Sequence, residues 1–117
     1  MNLDNAVAAH SKWKMTLQAY IAKPDKSLNP AVVADDKACE LGKWLIGDGR
    51  AHSSLPEYTK LITDHARFHK AASEVIRKAD SGQNVTEEAV IGGKSEFAAA
   101  STGVVQAIMS LKNKIKA

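Results

Sequence analysis

Apolar residues recur along most of this chain at steps of three and four, which predicts helices and leaves no strand-like alternation. In the first segment Leu3, Val7, His10, Trp13 or Lys14, Leu17 and Ile21 form one stripe, with a histidine inside it. Pro24 closes that helix, and Lys23–Ser27 reads as a polar loop. Asn29-Pro30 has the form of a short helical start, with Asn as N-cap and Pro in the first turn. Asp35 or Asp36 is a stronger start, leading into KACELGKWLIG and stopped by Gly47, Asp48 and Gly49. This second helix is short, about three turns, and Cys39 falls inside it.

The third helix is long. Pro56 marks its start, with Ser53 or Ser54 as cap. Its stripe runs through Tyr58, Leu61, Ile62, His65, Phe68, His69, Ala72, Val75, Ile76 and Ala79, and it ends at Ser81-Gly82. The fourth opens near Thr86, with Glu87 and Glu88 set favourably against the helix dipole. Its stripe is Val90, Gly93, Phe97, Ala100, Val104, Ile108, Leu111 and Ile115. Gly92-Gly93 weakens it locally, by about 1 kcal/mol per glycine relative to alanine. Three long amphipathic helices and a short second one, joined by short loops, predict an all-α antiparallel four-helix bundle, a single domain spanning residues 1–117.

Composition narrows the class. With 44% hydrophobic and 25% charged residues, the 117-residue chain is globular in character and large enough to bury a core without a cross-link. Net charge is only +3, from 16 basic and 13 acidic residues. The lysines near the C-terminus, Lys112, Lys114 and Lys116, suit the negative end of a helix dipole, and no nucleic-acid partner is expected from them. No apolar run reaches the roughly 18 residues of a membrane span, so no membrane insertion is expected. The N-terminus lacks the apolar core of a signal peptide. A single cysteine excludes an internal disulfide and fits a reducing compartment, so the expected location is cytoplasmic.

The candidate chemistry lies in four residues. His65 and His69, four apart on a helix, are stacked on one face with Cβ atoms roughly 6 Å apart, close enough to share an ion. Taken singly, each candidate has a plainer explanation: a histidine on an apolar face is commonly a hydrogen-bonded core residue, and a buried cysteine a small hydrophobe. Yet His10, Cys39, His65 and His69 all fall on inward faces, and three imidazoles with one thiolate make a complete tetrahedral set for Zn²⁺. His52, in the polar loop GDGRAHSSLP, is read as a solvent-exposed bystander. Trp13 and Trp44 flank the ligands in sequence, as water-excluding covers or as ordinary core aromatics.

Three blocks carry a resemblance to a known family: His10-Ser-Lys-Trp13, Cys39-Glu-Leu-Gly-Lys-Trp-Leu45 and His65-Ala-Arg-Phe-His69. In order and separation they resemble the chemoreceptor zinc-binding (CZB) domain, over about residues 6 to 112. The resemblance implies an antiparallel four-helix bundle holding zinc through three histidines and a cysteine, matching His10, His65, His69 and Cys39. It further implies a regulatory role toward bacterial chemotaxis receptors or diguanylate cyclases, and a homodimer or signalling-protein partner. Ile46 stands where the family often has an aromatic, from which a packing difference is expected. The 117 residues hold neither a receptor signalling hairpin nor a cyclase domain, leaving open a stand-alone member or a segment of a longer protein.

The expected function is therefore a zinc-binding sensory domain, responsive to zinc occupancy or to oxidation of Cys39. Two alternatives are a small zinc enzyme built on the three histidines and a metal-free helical interaction module. Against the enzyme, four protein ligands leave no open position, and Asp64 points about 100° away from His65 on its helix, which suits a surface or supporting role. C-x-x-C-H, needed for haem attachment, is missing, and the stripes lack the glutamates of a di-iron site. Because the ligands must be neutral imidazoles and a thiolate, protons are expected to compete with the ion below about pH 6. Helix four supplies no ligand and is the element freest to carry a change outward.

Overall fold

The computed structural model describes residues 2–81, 92 and 95–116, and they form α1 (Leu3–Ala22), α2 (Pro30–Ala34), α3 (Glu40–Ile46), a 3₁₀ turn (Asp48–His52), α4 (Pro56–Asp80) and α5 (Glu96–Lys116). The expected opening of the fourth helix near Thr86 lies outside the described residues; what is described of that helix begins at Glu96.

Local chemistry sets most of the boundaries. The Asn2 side chain accepts from the amides of Asp4 and Asn5 and starts α1. Pro24 disfavours helical backbone at Lys23, and α1 ends just before it. Asn29 caps α2 by accepting from the Ala31 amide, with Pro30 at the first helical position. The start of α4 departs from expectation. Its N-cap is Leu55, with no side-chain cap, rather than Ser53 or Ser54. Pro56 holds the residue before it in extended backbone (φ −82°, ψ 134°), and that fixes Leu55 as the last non-helical position.

The second leg is the larger departure. The helix expected from Asp35 or Asp36 begins only at Glu40: a turn over Asp35–Cys39 separates it from α2, and Cys39 is the N-cap of α3 in extended backbone (φ −87°, ψ 156°), not a residue within a helix. Asp35 accounts for the break. Its carboxylate accepts from the Lys37 amide and its carbonyl from the Ala38 amide, so the local turn competes with helix growth. The chain then folds back so closely that a Cβ on Gly42 would stand 1.8 Å from the Asp36 carbonyl oxygen. Only glycine admits that approach.

Cross-contacts set the directions of the legs. His69 faces Val33, His65 faces Cys39, and the Tyr58 hydroxyl donates to the Leu45 carbonyl, so α2 and α3 run antiparallel to α4. Arg67 pairs with Glu96, and Gly103 lies beside Asp64, so α5 also runs antiparallel to α4. Asp4 pairs with Lys112 across α1 and α5 at 2.5 Å, while Tyr20 donates to Asp80 where α1 and α4 end together. The legs thus alternate in direction, with α1 and α4 parallel. Leu17, Leu61, Phe68, Ile76, Phe97, Val104, Ile108 and Leu111 fill the interior. Tyr20 and Ala107 belong to that core although the helical stripes omit them, while Ile62 of the α4 stripe is exposed. Ile46 is 52% exposed, so its place in the Trp-Leu-Ile run disturbs no core packing. Among the described residues no helix is long and apolar enough to cross a membrane.

Candidate metal centre

Helices α1 and α4 turn their histidines toward each other across the bundle. His10 lies in the middle of α1; His65 and His69 lie one turn apart in the middle of α4. Their exposures are 4%, 0% and 4%. The break between α2 and α3 then lays Cys39 alongside. One ligand atom from each of His10, Cys39, His65 and His69 lies within 4.8 Å of every other. Cys39 Sγ is 3.2 Å from His65 Nε2 and 3.9 Å from His10 Nε2, and the Nε2 atoms of His65 and His69 are 3.0 Å apart.

The outer nitrogens explain why the inner ones converge. His10 Nδ1 donates to the Ala6 carbonyl at 2.7 Å, one turn earlier in its own helix. His69 Nδ1 donates to the Val33 carbonyl at 2.8 Å, reaching from α4 to α2. A neutral imidazole carries one ring proton, so both residues present Nε2 as a bare lone pair. His65 differs: its Nδ1 is buried without a hydrogen-bond partner, facing a carboxylate oxygen of Asp36 at 3.8 Å. Phe68 closes one side against His10 and His69, with ring centroids 5.2 and 5.6 Å apart, and leans on Phe97 of α5.

Burial sets the charge state. It is the largest influence on all three histidines and holds each below its ordinary pKa; His65, with His69 and His10 beside it, falls to about 3. Burial also pushes the Cys39 thiol up, opposed by the free amides of Leu41 and Gly42 at the start of α3. The centre is thus three neutral imidazoles and a protonated thiol at neutral pH. Against their converging lone pairs stand only the thiol proton and, when it sits on Nε2, the ring proton of His65. Such a donor set suits a cation. A tetrahedral zinc ion, with bonds of about 2.0–2.1 Å to nitrogen and 2.3 Å to sulfur, sets ligand atoms about 3.3–3.6 Å apart. The separations here bracket that spacing, so the residues fit the ion.

The residues around the cluster divide clearly. Trp13 lines a cavity of about 190 Å³ together with Ala6, His10, Cys39 and Glu40, so it does stand at the sulfur side of the cluster. Trp44 does not; it packs on Gly49 and on His52, at 6.1 Å between ring centroids. His52 stays outside the cluster, as expected, but is half-buried against Trp44 rather than a solvent-exposed bystander. Asp64 is bound to Lys60 at 2.8 Å and lies beside Gly103 of α5, away from His65. The carboxylate facing the cluster is Asp36, which sequence reasoning missed. On the helix expected there, nothing marked it out; only the break brings it onto His65.

Comparison with family models matched residues 10–76, more than half of the 117-residue chain, to the chemoreceptor zinc-binding domain. The matched segment opens on His10 and contains all four clustered residues. Neither the curated proteins nor the solved structures compared with the chain gave a match.

Proposed function

This chain belongs to the chemoreceptor zinc-binding domain family, and from that premise we propose that it is a regulatory domain in which His10, Cys39, His65 and His69 hold one zinc ion. The observation that carries the reading is the convergence of three imidazole nitrogens and the only thiol within 4.8 Å, with two of the outer nitrogens already tied to carbonyls. Bound zinc would supply a four-ligand cross-link between α1, α4 and the start of α3. Four protein ligands leave no open coordination position, the property that separates structural from catalytic zinc. The carboxylate adjoining His65 in sequence, Asp64, is engaged by Lys60 and does not serve the cluster as a base.

Residues 1–117 act as one domain in this reading, and the chain's own parts suggest how it responds. Cys39 is the only ligand outside a long helix, and it borders the cavity beside Trp13. Loss of zinc, or oxidation of its sulfur to a sulfenic acid that binds metal poorly, frees the α2–α3 leg while the α1, α4 and α5 core stays packed. α5 carries no ligand and packs along α4, so it offers the face through which a bacterial signalling partner, a chemoreceptor or a diguanylate cyclase, would feel the change.

The test is metal analysis of protein purified without added zinc, followed by hydrogen exchange across residues 30–46 before and after a mild peroxide. One zinc per chain, lost on oxidation with faster exchange in that segment, is expected. A chain that neither carries nor takes up zinc sinks the metal reading. Retained zinc and unchanged exchange sink the redox part alone.

A further inference from the structure

We propose that Asp36 is the positioning residue of this centre: its carboxylate accepts the Nδ1–H of His65, the one clustered histidine whose outer nitrogen has no carbonyl to bind. The inference rests on the four-ligand zinc reading above and goes beyond it by naming what orients the central ligand.

For Nε2 of His65 to join those of His10 and His69 around a cation, its single ring proton must sit on Nδ1. His10 and His69 meet that demand with the carbonyls of Ala6 and Val33. His65 Nδ1 is fully buried and meets no hydrogen-bond partner, and the carboxylate of Asp36 faces it at 3.8 Å. A movement of about 1 Å makes the hydrogen bond, and the Asp36 side chain, 29% exposed in a turn between helices, has the freedom to make it. Asp35 uses its own carboxylate within that turn, on the Lys37 amide, whereas that of Asp36 is directed across to α4.

Charge argues the same way. A divalent ion with one thiolate and three neutral imidazoles leaves one net positive charge beside three histidines that are almost wholly buried, and an uncompensated buried charge is costly. Asp36 brings the sum to zero. Carboxylates on the outer nitrogen of a metal-bound histidine fix its tautomer and raise its basicity. One short stretch, residues 33–39, thereby supplies the Val33 carbonyl to His69, the Asp36 carboxylate to His65 and the Cys39 sulfur to the centre.

Zinc affinity at pH 7.5, measured by competition with a chromophoric chelator on the full chain, is compared for wild type, Asp36→Ala and Asp36→Asn. Histidine ¹⁵N spectra of the zinc-loaded forms are recorded alongside. Asp36→Ala should weaken zinc by about 10- to 100-fold and shift the Nδ1–H resonance of His65 while those of His10 and His69 stay. Asp36→Asn, which keeps an acceptor oxygen without the charge, should fall between. Unchanged affinity with an unmoved His65 resonance overturns the proposal. So does an equal shift of all three histidines, the signature of a merely loosened turn. If Asp36→Ala does not fold, the nearly isosteric Asp36→Asn decides by the same two readouts. A wild-type chain that binds no zinc overturns the underlying reading and this one together, and is seen before any variant is made.

Discussion

The Nε2 atoms of His65 and His69 stand 3.0 Å apart on successive turns of α4. A helix alone puts residues at this spacing roughly 5–6 Å apart at Cβ; rotamers and burial bring the nitrogens the rest of the way. The Val33 carbonyl fixes the ring of His69 from outside, and His10 and Cys39 crowd His65 from across the bundle. Two nitrogens so placed share a proton or share a metal ion.

Removing a ligand should therefore weaken zinc more than removing any supporting group. Cys39→Ala and His69→Ala are each expected to lose more than about 100-fold in zinc affinity, beyond the range typical of residues that only orient a ligand. Chelator competition checks this, and affinity within tenfold of wild type for either variant would contradict the ligand assignment.

Zinc-stripped protein should lose stability with acid in a window set by the histidines. A histidine held neutral by burial has a folded-state pKa below its unfolded value, so the unfolded chain takes the extra proton. The stability is complete above the unfolded value near 6.5 and is lost as pH falls toward the folded value, about 3 for His65, with His10 and His69 acting in the same direction. Each histidine inside its window contributes roughly 1.4 kcal/mol per pH unit. Urea denaturation at pH 7.5, 6 and 5 is expected to show a flat upper limb and a steep lower one.

Zinc affinity should depend on pH through the thiol first. Proton competition, expected below about pH 6, should extend to higher pH through Cys39, because burial makes the folded histidines poor bases and the Cys39 thiol a weak acid. Near neutrality zinc uptake should release about one proton per ion, and affinity should rise about tenfold per pH unit from about pH 6.5 to 8. Calorimetry in buffers of different ionisation enthalpy counts the protons. Zero released would place the thiolate outside the set.

Gly42 and Gly103 should respond oppositely to alanine. At Gly42 the new Cβ would meet the Asp36 carbonyl oxygen at 1.8 Å, so the break between α2 and α3 must open. A loss above about 2 kcal/mol is expected, with weaker zinc binding because Asp36 and Cys39 move with that turn. At Gly103, inside α5, the nearest atom is Asp64 Cγ at an ordinary 3.9 Å, and alanine should stabilise by about 0.5–1 kcal/mol. Thermal melts of both variants check the pair.

Tyr58→Phe should loosen the junction between α3 and α4. The buried hydroxyl donates to the Leu45 carbonyl, and its removal leaves that carbonyl unsatisfied at a cost of about 1–3 kcal/mol. Faster amide exchange in α3, with α5 unchanged, is the expected local signature.

The sequence by itself determined the long helices and the identity of the four clustered residues. A 3.6-residue period shows directly which face of α1, α4 or α5 turns inward, and Pro24, Asn29 and Pro56 act on their immediate neighbours. Tertiary structure alone decided the second leg. Helical pattern and turn chemistry compete over Asp35–Cys39, and the outcome depends on whether the returning chain can lie against Gly42. That break puts Cys39 at a helix start and Asp36 on His65. Contacts between residues 29 apart in sequence, or 36 apart as for His69 and Val33, leave no periodic trace, because they are made by packing rather than by the local rise and turn of the chain.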